Sequence, residues 1–289
     1  MKGLRSARAT MGMASWRLMA RLGVAAVATL VAGSMAVVSA QQAQTVSPTP
    51  SQEPPPGQAP AGGRQGGAPA ARAAAPVDLT GTWVSIVTED WRWRMMVPPK
   101  GNYDSVPLNP EGVKVVESWD PARDVAAGEQ CRAYGAGGVM RLPGRVRISW
   151  QDDNTLKVET EAGTQTRLFR FRPGASEAPS WQGTSNAAWQ VAGGGGGRRG
   201  GGAPPRGGSL RVVTTNLKPG YLRRNGVPYS ANARVTEYYN RLNEANGDSW
   251  LIVTTVIEDP TYLQTPRWAT STHFKKAPDG SPWKPTPCS

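Results

Sequence analysis

The residues whose chemistry is best suited to holding a ligand stand together in Glu89-Asp90-Trp91-Arg92-Trp93-Arg94. Two indoles supply flat apolar faces for a planar or sugar-like ligand, and two guanidinium groups supply planar forks for an anion. On an extended strand successive side chains alternate, so Trp91 and Trp93 share one face while Asp90, Arg92 and Arg94 share the other. The same alternation describes an aromatic packing face backed by a solvated, salt-bridged one. In a barrel one of the two faces borders the lumen, which makes Trp91, Arg92, Trp93 and Arg94 the ligand-binding candidates. As exposed or lumen-facing charges, Arg92 and Arg94 are expected to tolerate replacement by alanine with little loss of stability.

Elsewhere the reactive side chains do not form a catalytic motif. The chain has 1 histidine, His273, which excludes a zinc site built on several histidines. Ser185 lies in Gly183-Thr184-Ser185-Asn186-Ala187, one residue short of the GxSxG elbow, with Asp259 and His273 following in hydrolase order. That elbow needs a strand, a sharp turn and a helix on a parallel sheet, and no such alternation is present. The carboxylate pairs Glu89/Asp90, Glu159/Glu161 and Glu258/Asp259 read most simply as strand ends or solvated faces. Glu159 and Glu161 share a face, so a carbohydrate hydrolase is a disfavoured alternative. Gly195, Gly197 and Gly200 match GxGxxG inside the insert 193–208, but Ala203-Pro204-Pro205 follows where a dinucleotide site needs a helix. The insert reads as a flexible hairpin loop. Nothing in the sequence asks for a cofactor or a metal.

The cysteines are Cys131 and Cys288. A redox dithiol would set them close together, as in CxxC; an even pair in an oxidising compartment is most simply a disulfide. The N-terminus indicates such a compartment. Lys2, Arg5, Arg8, Arg17 and Arg21 accompany an apolar run from Leu22 to Val38, and Val38-Ser39-Ala40 offers the small residues that a signal peptidase reads. Residues 1–40 are expected to be a signal peptide cleaved before Gln41, leaving a periplasmic or secreted protein. Residues 41–76 are rich in Pro, Gly, Ala and Gln, cannot bury enough apolar surface to offset the entropy of ordering, and read as a disordered linker. Residues 77–289 then form one domain.

A net charge of +12 suggests nucleic acid at first sight. Much of the excess sits in the leader, the linker and Arg198, Arg199 and Arg206 of the insert, and not on one ordered face. No nucleic-acid partner is expected, and no membrane partner once the leader is removed.

The elements that must position these residues are strands. In Arg145–Trp150 the apolar residues fall on every second position, Asp152-Asp153-Asn154 supplies a turn, and Thr155–Thr160 resumes the alternation. Ala162-Gly163 turns the chain again before Thr164–Phe171, which completes a three-stranded meander. Leu210–Leu217 is a further strand, Arg234–Leu242 and Trp250–Ile257 make a hairpin across Asn246-Gly247-Asp248, and Trp268–Lys275 closes the set. Trp250–Ile257 is apolar on nearly both faces and is expected to be the most central strand. Asn109-Pro110 and Asp120-Pro121 place a capping side chain before proline, predicting short helices at 110–119 and 121–128. The fold class is all-β: a mainly antiparallel barrel or sandwich with one or two short helices.

Gly81-Thr82-Trp83 resembles the first-strand signature of lipocalin-like barrels, in which the glycine lets the chain turn and the tryptophan plugs the barrel floor. Lipocalins place their main helix after the strands, whereas here the helical signals fall between the first strand and the second. From Asp78 to Cys288 the chain also resembles a family of exported, uncharacterised β-rich proteins of environmental bacteria. The marks are LTGTW at 79–83, GEQCRAYG at 128–135, MRLPGRVRISWQDDNTLKVETEAGTQTR at 140–167 and VIEDPTYLQTPRWATSTHF at 256–274. These resemblances imply an exported, lipocalin-like barrel and no particular activity. The expected function is non-catalytic binding of a small or oligomeric ligand. One alternative is a periplasmic hydrolase or isomerase using lumen carboxylates or arginines. Another is a tethered protein-interaction module, which would expose a large apolar patch.

Overall fold

A computed structural model describes residues 69–174, 177–191 and 207–289. The expected leader, most of the expected linker and the centre of the glycine-rich insert lie outside the described residues. The strands are β1 (Gly81–Ile86), β2 (Arg145–Asp152), β3 (Thr155–Thr160), β4 (Gln165–Arg170), β5 (Thr184–Val191), β6 (Gly208–Thr215), β7 (Gly220–Tyr221), β8 (Pro228–Tyr229), β9 (Arg234–Asn243), β10 (Ser249–Glu258) and β11 (Trp268–Lys276). Nine of them close a barrel in the order β1-β11-β10-β9-β6-β5-β4-β3-β2, and β7 and β8 form a separate two-stranded ribbon. Antiparallel neighbours reverse direction at each step, and a ring with an odd number of strands cannot reverse at every one. One parallel contact is therefore obligatory, and it falls between β4 and β5, with Phe169 opposite Ser185.

The alternation read from the sequence decides which side chains point inward. Val146 and Ile148 of β2, Leu156 and Val158 of β3, Phe169 of β4, Leu210 and Val212 of β6, Tyr239 of β9, Leu251 and Val253 of β10 and Phe274 of β11 pack around Trp83 of β1. Trp83 is fully buried, and its Nε1 donates to the Leu79 carbonyl at 2.9 Å. This matches the floor position that the lipocalin-like opening implies. The hairpin between β9 and β10 turns at Asn246-Gly247-Asp248 as expected, with Gly247 at φ 88. Closure removes the distinction between central and edge strands, so Trp250–Ile257 is not more central than its neighbours. Leu251, Val253 and Ile257 are buried in the interior, and Trp250, Ile252 and Val256 are half-buried on the outer face.

The long connection from β1 to β2 holds α1 (Trp91–Arg94), α2 (Pro110–Ser118), α3 (Pro121–Ala126) and two short 3₁₀ turns. Asn109 and Asp120 cap α2 and α3 as their sequences predict, accepting from Gly112 N (2.9 Å) and Ala122 N (3.0 Å). With the β7–β8 ribbon these elements cover one end of the barrel around a second apolar cluster that includes Val116, Leu222, Val227, Tyr229, Ile257 and Trp268. Among the described residues no helix is long and apolar enough to cross a membrane.

At the opposite end, order begins before residue 77. Ala71 donates to Asn154 Oδ1 (3.2 Å) and accepts from Trp189 Nε1 (2.8 Å), and Arg72 N donates to the Asp153 carbonyl at 3.0 Å. The last residues of the expected linker thus lie across a cluster of Trp150, Phe171 and Trp189. The C-terminal tail leaves β11 at this same end and runs back outside the barrel, with Arg147 over the Trp283 ring at 4.3 Å. It ends at the Cys131–Cys288 disulfide, whose Cα atoms are 5.1 Å apart.

Candidate functional site

The barrel interior is lined by buried side chains. Between the two apolar clusters lies a polar layer made by Arg167, Ser185, Thr214, Glu237, Thr255 and Thr272, all buried. Arg167 makes a two-pronged ion pair with Glu237 (2.9 and 2.6 Å) and donates to Thr214 Oγ1 at 3.1 Å. Tyr239 donates to Glu237 at 3.2 Å. Burial opposes the Arg167 charge, but the Glu237 carboxylate more than compensates and holds the guanidinium above its ordinary value. Burial and the same carboxylate push the Tyr239 phenol well up. Both charges of the pair are wholly enclosed and face each other, with Arg167 Nε left without an acceptor among the described residues, so they read as structure.

The Ser-Asp-His order is not assembled in space. Ser185 bonds Thr214 at 2.8 Å inside the barrel. Asp259 is buried and accepts from Ser230 N and Oγ, both at 2.7 Å, fixing the turn before β9. His273 lies beside Thr88 (3.2 Å) and Glu89 (3.5 Å). Glu159 pairs with Lys157 at 3.2 Å. Glu161 lies beyond the end of β3, buried, and accepts from Arg145 N (3.0 Å) and Lys284 N (2.6 Å), which anchors the C-terminal tail.

The segment carrying the ligand candidates is not a strand. Asp90 takes the left-handed conformation (φ 50) and residues 91–94 form one helical turn. Six residues are too few for alternation to settle conformation, and tertiary contacts decide it through Arg94. This side chain is buried, ion-paired to Glu89, and donates to the Arg141 carbonyl (2.8 Å) and Ser85 Oγ (3.2 Å). The four candidates therefore part company. Trp91 is 57% exposed with Arg92 against its ring, Trp93 is half-buried under Arg223, and Arg94 belongs to the interior of the capped end.

Two clefts open on that end and meet at Val97. One, about 290 Å³, is lined by Arg92, Trp93, Met96, Pro98 and Asn102. The other, about 250 Å³, is walled by Trp119, Pro121, Val125, Ala133 and Tyr221, with Asp124, Gln130 and Arg224 at its rim. Asp124 accepts from Tyr221 at 3.0 Å and from Arg132 at 3.1 Å, and Arg132 covers the Tyr221 ring at 4.6 Å. Burial, chiefly, raises the Tyr221 phenol. The Trp119 indole fits because Gly226, at φ 83, has no Cβ to collide with it. Its Nε1 is buried with no acceptor among the described residues. The disulfide stands beside this wall through Ser289, which also lines it.

Beneath the clefts lie two buried arginines, Arg141 and Arg223. Arg141 bonds Asp90 at 2.7 Å and stands over the Trp268 ring at 5.5 Å. Arg223 donates to the Asp104 carbonyl (2.6 Å) and Ser105 Oγ (2.9 Å). Burial first, and the Arg141 charge next, pull the Arg223 guanidinium down to about 10. Neither arginine was a site candidate on sequence. The available signal is for Arg141 alone, which is embedded in the apolar run Val139-Met140-Arg141-Leu142, where a charge is costly to bury, whereas Arg223 is followed by Arg224 and Asn225 and carries no such mark.

Compared with known proteins, the chain matches no family model, no curated protein and no solved structure. The resemblance to an exported bacterial family thus finds no match, and what agrees with the lipocalin-like reading is the architecture, a closed β-barrel with few helices.

Proposed function

We propose that this is an exported, non-catalytic barrel protein that binds a small molecule at its capped end, in the cleft walled by Trp119 and Tyr221, and not in its lumen. The observation that carries this reading is the pairing of an interior filled by buried side chains with a concave, mostly apolar surface bearing a few convergent polar groups. Trp93 and Arg92, in the adjoining cleft, extend the same surface. Export rests on the leader pattern and on the disulfide, a bond that persists in oxidising compartments. Val125 is 63% exposed, so Val125→Glu should fold normally while charging the cleft wall. Fluorescence titration with the neutral apolar probe N-phenylnaphthylamine tests the site: saturable binding weakened about tenfold or more by Val125→Glu supports it, and binding that is absent or indifferent to the substitution overturns it.

A second reading, an interaction module on a tether, is favoured by the exposure of four large apolar side chains within seven residues of the cap, Trp91, Met95, Met96 and Val97. Under that reading Met95→Lys, at an exposed residue that lines neither cleft, abolishes a protein contact and leaves probe binding intact.

A further inference from the structure

The end of the barrel opposite the cap holds another concave surface. Trp150 lies near the end of β2 and Trp189 near the end of β5, and with Phe171 they form a cluster whose ring centroids are 5.2, 5.8 and 6.4 Å apart. The two indoles are tilted by 55° to each other, and both are half-buried. Residues 72–80 run over this cluster as a strap. Between strap and barrel is a cleft of about 380 Å³, lined by Arg72, Val77, Asp78, Thr80, Trp150 and Trp189. That volume is within the range of small-molecule sites.

The strap is held on both sides of the cleft, so the cleft is formed before any ligand arrives. On one side Trp189 Nε1 donates to the Ala71 carbonyl at 2.8 Å, which also fixes the indole, and Arg72 N donates to the Asp153 carbonyl at 3.0 Å. On the other, Arg241 donates to the Asp78 carbonyl at 2.7 Å, and Pro76 packs so close to Gly208 that a Cβ there would lie 2.7 Å from its ring. Asp78 Oδ1 accepts from Thr80 N (2.9 Å) and Thr80 Oγ1 (2.7 Å), which orients the carboxylate. Its Oδ2 stands 3.9 Å from Arg241, beyond hydrogen-bond reach, so an acceptor is left for a ligand. Burial opposes the Asp78 charge, but the Thr80 hydrogen bonds and the Arg241 and Lys276 charges hold the carboxyl below its ordinary value. The Arg72 side chain is exposed.

We propose that this cleft binds a neutral saccharide, one pyranose ring lying against the Trp150 and Trp189 indoles with its hydroxyls on Asp78 and Arg72. A pyranose presents C–H groups on its faces and hydroxyls around its edge. Indole faces suit the first. A carboxylate acceptor and a guanidinium donor make charge-assisted hydrogen bonds with the second. The lining offers one cation and one anion, so it selects by hydrogen bonding and not by net charge. A ligand without hydroxyls would desolvate the Asp78 carboxylate and leave it unpaired, which is costly. The site is separate from the cleft walled by Trp119 and Tyr221, and stands whether or not that cleft binds a ligand.

The test is calorimetric titration of the disulfide-bonded protein with maltotriose, cellotriose and triacetylchitotriose, which cover α-linked, β-linked and amino-sugar pyranoses. At least one should bind saturably. Asp78→Asn keeps an acceptor for Thr80 and removes the charge. It should weaken that sugar about tenfold, the worth of a hydrogen bond to a charged group, and melt like wild type. Trp150→Ala should abolish binding; because this ring also packs on Phe171, Asp78→Asn decides should the tryptophan variant fail to fold. Val125→Glu, in the cleft at the other end, should leave the affinity unchanged. Failure of all three sugars to bind overturns the proposal. Binding that Asp78→Asn leaves intact, or that Val125→Glu weakens, overturns it as well.

Discussion

Arg92 and Arg94 stand two positions apart and have different surroundings. Arg92 is exposed against the face of Trp91. Arg94 is held by the Glu89 carboxylate, the Arg141 carbonyl and the Ser85 hydroxyl, and burial is the main influence that depresses its guanidinium below the ordinary range. Exposed single charges contribute little to stability, whereas removing one partner of a buried ion pair strands the other. Arg92→Ala should therefore fall within about 0.5 kcal/mol of wild type in urea denaturation. Arg94→Ala should lose about 3 kcal/mol, because it leaves Glu89 and the Arg141 carbonyl without their donor. The expectation that both arginines are dispensable survives for Arg92 only. Equal stability of the two variants would show that Arg94 is not tied into the cap.

At the scale of elements, β1 joins three features: its start carries Trp83, its middle pairs with β2 and β11, and its end leads into the cap. Trp83 is fully enclosed, with its indole N–H satisfied by Leu79 and the charges of Arg241 and Lys276 each 5.9 Å from its ring. Truncating a buried tryptophan removes a large apolar volume and typically costs about 3–5 kcal/mol, a large share of a domain's net stability. Trp83→Ala should lower the melting temperature severely or abolish soluble folding. A variant melting like wild type would mean that the barrel does not close over this side chain. The alternation of β2, β3, β4, β9 and β10 was legible in the sequence because one face of each strand meets a packed core. β5 was not anticipated as a strand: its inward positions are Ser185, Ala187 and a half-buried Trp189, too mixed in polarity to show a period.

The whole molecule is closed by its disulfide. Cys131 lies in the cap and Cys288 in the tail, 157 residues apart. In the chain-entropy model a loop of that length stabilises the folded state by about 5 kcal/mol. Reduction should therefore lower the melting temperature markedly and release the tail from Tyr134, which bonds Ser289 at 3.0 Å. Calorimetry of the native protein with and without reductant, beside a Cys131→Ser/Cys288→Ser variant, checks this. The double variant should melt like the reduced protein. If it melts like the oxidised one, the bond contributes nothing beyond what the cap already provides.

The sequence by itself determined the strand class, the meander, the β9–β10 hairpin, both capped helices and the cysteine pair. These features depend on neighbours within a few residues, on a strict period, or on there being only two cysteines. Tertiary structure alone decided three others. The parallel β4–β5 contact follows from the number of strands in the closed ring. The helical turn at Trp91–Arg94 follows from where the Arg94 side chain is held. The gathering of Arg141 and Arg223 under the cap brings together residues about 80 positions apart, and no local pattern records a charge whose partner lies that far along the chain.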